Sequence, residues 1–324
     1  MHIYSDEEDM QEGLFGGIVT FVMSVLPYLS RHGIKPIWSI KSRLYGRKPD
    51  YEVIPGIFDL AYLPESKGER VKLQFMMKRF SCVLGNDFEY LHELFFSFFS
   101  IPYRIRQKAE EIVISQQTLG IHYRGTDKNK SIYDTNPVSI DQFIEIIVNF
   151  LKENSRITAI YVATDETEFM RRIAKEFPAY AVANLDVGRH HKDLDSAFEQ
   201  AELALADAYN LSRCGIVLKC SSALSAFSKV INPKLPIFRI AASKAFAFGP
   251  YYLDGHIPRL VLKSEKANEM IDALYEGDWE ESLVYRCLFG HAFQTQSNTY
   301  LRLYDFLLRV RRKLRQTKAA IFAN

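Results

Sequence analysis

The strongest constraint on the fold is a regular alternation of apolar and amphipathic segments in the second half of the chain. Short apolar runs rich in β-branched residues predict strands over residues 119–123, 157–163, 180–183, 215–219 and 235–240. The segments between them space their apolar residues as helices do. Strands that alternate with helices favour right-handed crossovers and a parallel sheet, so the sequence predicts an α/β fold.

The helices of this half have recognisable ends. They are predicted over residues 139–154, 166–177, 196–212 and 221–231, with Ser139 as an N-cap and Pro178 as a stop signal. The first half predicts a helix over 18–32 with Gly33 as its C-cap, a strand over 35–40 and a helix over 105–115. The phenylalanine-rich stretch 73–100 has helical spacing and predicts packed core.

Length and composition indicate a globular protein of two domains. A chain of 324 residues exceeds one ordinary core. We expect a first domain over 1–116, a second domain over 117–262, and C-terminal helices over 263–324 that pack back on the first domain. A hydrophobic fraction of 48%, a charged fraction of 25% and a net charge of +2 exclude a disordered chain and give no reason to expect nucleic acid.

The cysteines and the N-terminus predict a cytoplasmic location. The four cysteines have neither metal-ligand spacing nor the density of a disulfide framework, which is typical of reduced thiols. The acidic N-terminus lacks the basic start of a secretory signal, and the apolar run 14–29 is shorter than a membrane span.

Residues 302–318 are basic and amphipathic, so the tail 299–324 is either a packed helix with a solvated basic face or a peripheral membrane contact.

Polar residues follow three of the predicted strands. The clusters are His122 to Lys128, Thr164 to Glu166, and Cys220 to Ser222. Parallel strands bind ligands beyond their carboxyl ends, so these clusters are expected to share one crevice.

Each cluster suits a nucleoside diphosphate. Arg124 can grip a phosphate with two hydrogen bonds, and Ser221 and Ser222 open a helix, where backbone N–H groups favour an anion. Asp165 can accept from a base or a ribose hydroxyl.

Structural roles are the alternatives. Arg124 and Asp127 could form an ion pair on a loop. Asp165 and Glu166 could be an N-cap and a first-turn acid, Ser221 and Ser222 an ordinary N-cap, and His122 a core histidine bonded to backbone.

Three of these segments together resemble a known family. His122-Tyr-Arg124-Gly-Thr126-Asp127-Lys128 resembles the His-x-Arg-Arg-Thr-Asp-Lys motif of the α1,6-fucosyltransferases, which include nodulation-type bacterial enzymes. Residues 160–166 resemble the second motif of that family and residues 207–222 the third. The opening Gly13-Leu-Phe-Gly16-Gly17 is similar to, but more degenerate than, the family's Gly-x-Gly-Asn-Gln start.

The resemblance implies a GT-B-like α/β fold of two Rossmann-like domains with a C-terminal helical extension. The domain over 1–116 would then lie on the acceptor side, and the domain over 117–262 would bind the nucleotide sugar. It implies an inverting transfer of fucose from GDP-fucose to a glycan hydroxyl, without a metal or another cofactor. Arg124 would contact the donor β-phosphate, Asp165 and Ser222 would hold the nucleotide, and Asp207 would support the site from a helix. The other residues that we carry over to the nucleotide-sugar site are Gly16, Gly17, His122, Thr126, Lys128 and Ser221.

Two positions depart from the family pattern. Gly125 replaces the second arginine, and Ile132 stands where the family has an acid. The catalytic base is then Asp134, Asp127 or an acid of the first domain such as Glu12. The alternatives to a fucosyltransferase are a transferase that uses another GDP- or UDP-hexose or a pentose donor, and a catalytically weak sugar-nucleotide-binding protein.

Overall fold

The computed structural model describes residues 1–8, 10, 13–64, 68–82, 84, 87–125, 138–185, 197–241, 252–255, 257 and 259–261. All of them belong to one compact unit, Met1–Gly277. The expected C-terminal helical extension and basic tail lie outside the described residues. So do five residues named above as site candidates, which are Glu12, Thr126, Asp127, Lys128 and Asp134.

The first half of the chain forms a four-stranded sheet. Its strands are β1 (His2–Ser5), β2 (Ile37–Lys41), β3 (Glu52–Ile54) and β5 (Arg70–Lys72), while β4 (Asp59–Leu60) lies outside it. The order is β3-β2-β1-β5, in which β1 is parallel to β2 and β5, and β3 is antiparallel to β2. The prediction of a strand near residues 35–40 is confirmed, whereas the sequence analysis missed β1, β3, β4 and β5.

Helix α1 (Thr20–Arg31) joins β1 to β2 and follows a π-helical turn over Leu14–Val19. Gly33, two residues beyond its end, has a φ of +63°, as expected for a glycine that terminates a helix. Contrary to the expectation from the apolar run 14–29, Leu14–Arg31 is long and apolar enough to cross a membrane by length and composition alone. However, 67% of it is buried inside the protein, as a core helix would be.

Three helices follow the first sheet: α2 (Leu73–Phe80), α3 (Phe88–Phe98) and, after strand β6 (Phe99–Ser100), α4 (Tyr103–Glu110). The prediction of a helix over 105–115 is wrong at both ends. The N–H of Ser115 donates to Thr118 Oγ1 at 3.0 Å, and the N–H of Thr118 donates to the Ser115 carbonyl at 3.0 Å. This turn uses the hydrogen-bonding groups that a longer helix would need.

The second half of the chain forms a sheet of six parallel strands. They are β7 (Thr118–Tyr123), β8 (Ala159–Thr164), β9 (Ala181–Ala183), β10 (Ile216–Lys219), β11 (Ile237–Ala241) and β12 (Arg259–Val261). The helices of this half are α5 (Ile140–Glu153), α6 (Thr167–Glu176), α7 (Ala197–Arg213), α8 (Ala223–Ile231) and α9 (Tyr252–Gly255). The strand order β12-β11-β10-β7-β8-β9 is that of a doubly wound sheet, which confirms the predicted α/β fold.

One hydrophobic core extends through both halves of the chain. Phe227 of α8 lies between aromatic rings from the first half, with ring centroids 5.1 Å from Phe95, 5.3 Å from Phe15 and 6.1 Å from Phe58. The phenylalanine-rich stretch is core as predicted, although Phe75 is 50% exposed. The boundaries proposed for the domains, at residues 116 and 262, stay predictions.

Because Phe227 joins the two halves, Phe227→Ala is expected to destabilise the whole unit by about 3–5 kcal/mol, the usual effect of emptying a buried aromatic site. Urea unfolding followed by circular dichroism measures the free energy of unfolding. Phe75→Ala is the control and is expected to change it by about 0.5 kcal/mol or less. Two separate transitions in the wild type would contradict a shared core.

Candidate functional site

The candidate site lies where the second sheet reverses its winding. Strands β7 and β10 pair in parallel, with His122 opposite Lys219, and the chain leaves them toward opposite edges of the sheet. Arg124 and Gly125 follow β7, and Cys220 to Ser222 follow β10. A doubly wound sheet opens a crevice at this point, so two of the three predicted clusters meet there.

Hydrogen bonds join the two strand ends. The Cys220 N–H donates to the His122 carbonyl at 3.0 Å, and the Arg124 N–H donates to Cys220 Sγ at 3.0 Å. Burial raises the pKa of the Cys220 thiol to about 11, which keeps it protonated at neutral pH. The three cysteines in the described part of the chain are free thiols, as the sequence predicts.

His122 is buried at the end of β7. Its Nδ1 lies 2.7 Å from Ser225 Oγ, in the first turn of α8. This contact holds α8 against β7. His122 is buried, as the alternative of a core histidine expects, but the partner of its Nδ1 is a side-chain hydroxyl. Ser225 was not identified from the sequence.

The end of β8 comes against the end of β7. The Gly125 N–H donates to Asp165 Oδ1 at 3.2 Å, and Arg124 Nε lies 3.8 Å from Asp165 Oδ2. The Arg124 side chain is 24% exposed and that of Asp165 14%, so both remain open to a ligand. The expected proximity of Arg124 and Asp165 is therefore present.

The N-terminus of α6 differs from the expectation by one residue. Glu166, not Asp165, is the N-cap, and its side chain makes no capping hydrogen bond. The Asp165 carboxylate accepts a hydrogen bond from the Gly125 N–H, which follows β7.

The start of α8 rests on a buried ion cluster. Ser222 is the N-cap without a side-chain capping bond, and its N–H donates to Asp254 Oδ1 at 3.3 Å. Asp254 also accepts from Lys219 Nζ, and from Arg239 Nη1 at 2.8 Å. Two cations and one anion leave a net positive charge at the N-terminal end of α8, which favours an anionic ligand.

The charges within this cluster support one another. Burial alone would raise the pKa of Asp254, but Lys219 and Arg239 outweigh it and hold that pKa below its usual value. Burial lowers the pKa of Lys219, and Asp254 opposes the change. None of these three residues was predicted from the sequence. Lys219 and Arg239 gave a usable signal, because both lie in strands that the sequence predicts. A charged residue in a buried strand is seldom without a partner of opposite charge.

Three further candidates lie at other places in the fold. Asp207 of α7 is buried and accepts from the Tyr161 hydroxyl at 2.5 Å, in the middle of β8 rather than at its end. Gly16 and Gly17 lie in the π-helical turn before α1, next to Phe15, which packs on Phe227 of α8. Within the described residues, no group of three or more His, Cys, Asp or Glu side chains could hold a metal ion.

The comparisons with known proteins show the fold. No protein-family model matches the chain. No curated protein sequence matches it either. Solved structures do: a NodZ α1,6-fucosyltransferase soaked with GDP-fucose is 15% identical with a TM-score of 0.50, and the match covers 74% of this chain and 94% of that one.

Two other similar structures have lower scores. The fucosyltransferase NodZ from Bradyrhizobium is 14% identical, with a TM-score of 0.49 over 72% of this chain and 93% of its own. The heptosyltransferase WaaC of E. coli, solved with ADP, is 13% identical, with a TM-score of 0.44 over 85% and 99% of the two chains.

The class that the architecture defines is therefore the GT-B fold of glycosyltransferases, as predicted, with two Rossmann-like halves. At these identities the likeness establishes the fold and not the reaction.

Asp254→Asn is expected to destabilise the protein by about 3–5 kcal/mol, because it leaves two buried cations without their anion. Lys219→Met is the matched control, since it keeps the Asp254–Arg239 pair and fills the space of the lysine stem. Urea unfolding compares the two variants. A loss for Asp254→Asn no larger than that for Lys219→Met would show that Asp254 does not balance this cluster.

Proposed function

We propose that this protein is a glycosyltransferase that transfers a sugar from a nucleotide-activated donor. The more specific proposal is an inverting, metal-independent transfer of fucose from GDP-fucose to a hydroxyl of a glycan. The observation that supports a nucleotide-activated donor is that Arg124, Asp165 and the start of α8 meet in the crevice between β7 and β10. That crevice belongs to a fold on which nucleotide-sugar transferases are built.

The charges of the crevice suit a diphosphate. The partly exposed guanidinium of Arg124 lies on the β7 side, and α8 begins on the β10 side above a cluster with net positive charge. Preorganised cations and backbone N–H groups stabilise a leaving diphosphate as its negative charge grows. Asp165, Ser221 and Ser222 are the other proposed nucleotide contacts from the described residues.

The proposed transfer breaks the bond between the anomeric carbon and the diphosphate and forms a new bond to the acceptor oxygen on the opposite face. A carboxylate takes the proton from that hydroxyl. Asp127, Asp134 and Glu12 remain the proposed bases. Thr126 and Lys128 complete the proposed donor site, with Gly16 and Gly17 from the first half and His122 holding α8 in place.

Gly125 supports two alternatives to a fucosyltransferase. It leaves a single arginine where the fucosyltransferase motif has two, which favours a donor other than GDP-fucose or a protein that binds a nucleotide sugar with little turnover. A cytoplasmic location and a membrane contact through residues 299–324 also remain proposals.

A panel of GDP, UDP, CDP and their sugars tests the proposed function. A ligand present at about 100 times its Kd adds about 2.7 kcal/mol to the stability of the native state, which a thermal shift detects. We expect GDP and GDP-fucose to give the largest shifts, and GDP-fucose to release GDP on incubation. Turnover of another sugar nucleotide would identify that compound as the donor in place of GDP-fucose. A thermal shift without turnover would favour a protein that only binds a nucleotide sugar. No shift with any member would refute the proposal.

Arg124→Ala is expected to lower kcat about 100- to 1,000-fold, the usual effect of removing one donor that stabilises developing negative charge. The matched control is Arg172→Ala. Arg172 is similarly exposed, at 28% against 24% for Arg124, and pairs with Asp141 on the surface. Steady-state turnover of the donor identified by the panel measures both. Near-normal kcat in Arg124→Ala would remove Arg124 from the proposed chemistry.

A further inference from the structure

The Glu166 carboxylate lies next to Gly125, two residues beyond the end of β7. A Cβ atom on Gly125 would be 2.8 Å from Glu166 Oε2 and 3.3 Å from Glu166 Cγ. The glycine therefore leaves room for this carboxylate. The space where a side chain at position 125 would begin is occupied by an acid of the neighbouring strand end.

The Glu166 carboxylate makes no capping bond, other hydrogen bond or ion pair among the described residues. It is partly buried at the N-cap of α6 but makes no capping hydrogen bond there. No hydrogen bond or ion pair of its oxygens to any part of the described chain is present. Asp165, its neighbour, is engaged by the Gly125 N–H and lies near Arg124. Of the two acids after β8, Glu166 is thus the one whose carboxylate is not engaged by another described residue.

The charges on the two sides of the crevice differ in sign. Among the described residues on the β7–β8 side, Asp165 and Glu166 outnumber Arg124, so these three side chains carry a net negative charge. On the β10 side, Lys219 and Arg239 outnumber Asp254, which leaves a net positive charge. A diphosphate is favoured at the start of α8 and next to Arg124, whereas neutral hydroxyl donors are favoured beside Glu166.

The position of Glu166 in the sheet indicates which hydroxyl groups of a nucleotide it would contact. In a doubly wound sheet, the phosphates bind after the strand at the switch point, and an acid further along the chain accepts from the ribose hydroxyls. Here β7 is the strand at the switch point and β8 is the next strand along the chain. Building on the proposed function, we propose that Glu166 binds the ribose 2′- and 3′-hydroxyls of the donor nucleotide and selects for a ribonucleotide.

The test combines a change in the protein with a change in the ligand. Isothermal titration measures the Kd of GDP and of 2′,3′-dideoxy-GDP for the wild type and for Glu166→Gln, and the same pair of ligands is used for UDP and ADP. Glu168→Gln is the matched control, because Glu168 lies on the same helix, exposed and paired with Arg171.

In the wild type we expect the ribonucleotide to bind at least about tenfold more tightly than its dideoxy analogue, as the loss of hydrogen bonds to a carboxylate implies. In Glu166→Gln this preference shrinks toward unity. Affinity for the dideoxy analogue is unchanged or improves, because one negative charge near the diphosphate has been removed. Glu168→Gln keeps the wild-type preference.

Each contrary result has its own meaning. If Glu166→Gln keeps the full preference for the ribonucleotide, or tightens both ligands equally, the inference about Glu166 is wrong while the proposed function stands. If the wild type binds none of the nucleotides, the proposed function fails and the ribose site fails with it.

Discussion

The pairing of β7 with β10 is the constraint on which the site depends. Strand β7 is buried along its whole length, and Gly120 lets β10 approach closely. A Cβ atom at position 120 would lie 2.8 Å from Val217 Cγ2 and 3.0 Å from Cys214 Sγ. The chain winds away from these two strands in opposite directions, and their ends lie side by side. Residues nearly 100 positions apart, such as Arg124 and Cys220, are neighbours for this reason.

The charged side chains at this edge of the sheet are held in place because they are buried and paired. Asp254 brings together two strands, β10 and β11, and the first residue before α8, through bonds to Lys219, Arg239 and the Ser222 N–H. The three side chains are almost fully buried, so the cluster cannot relax into water and its net charge is kept close to the helix end. Asp165 and Glu166 supply the opposite sign across the crevice. The proposed polarity of the ligand, with phosphates on one side and ribose on the other, follows from this difference.

Local signals made much of this predictable. Alternating segments identified the parallel sheet, Ser139 forms the capping box expected of an N-cap with Gln142, and Arg124 and Asp165 meet as strand ends should. The missed features depend on tertiary contacts. Strand β1 has only four residues and is recognisable by its pairing with β2 and β5, and the role of Asp254 depends on cations from two other elements. Sequence spacing records neither kind of contact.

The central claim is that a nucleoside diphosphate binds at the switch point of the second sheet. A crystal structure of the protein with GDP tests this most directly. The account predicts the diphosphate between the Arg124 guanidinium and the first turn of α8, with the ribose hydroxyls toward Glu166. Density for GDP elsewhere, with Arg124 still facing Asp165 and no phosphate near Ser222, would contradict it.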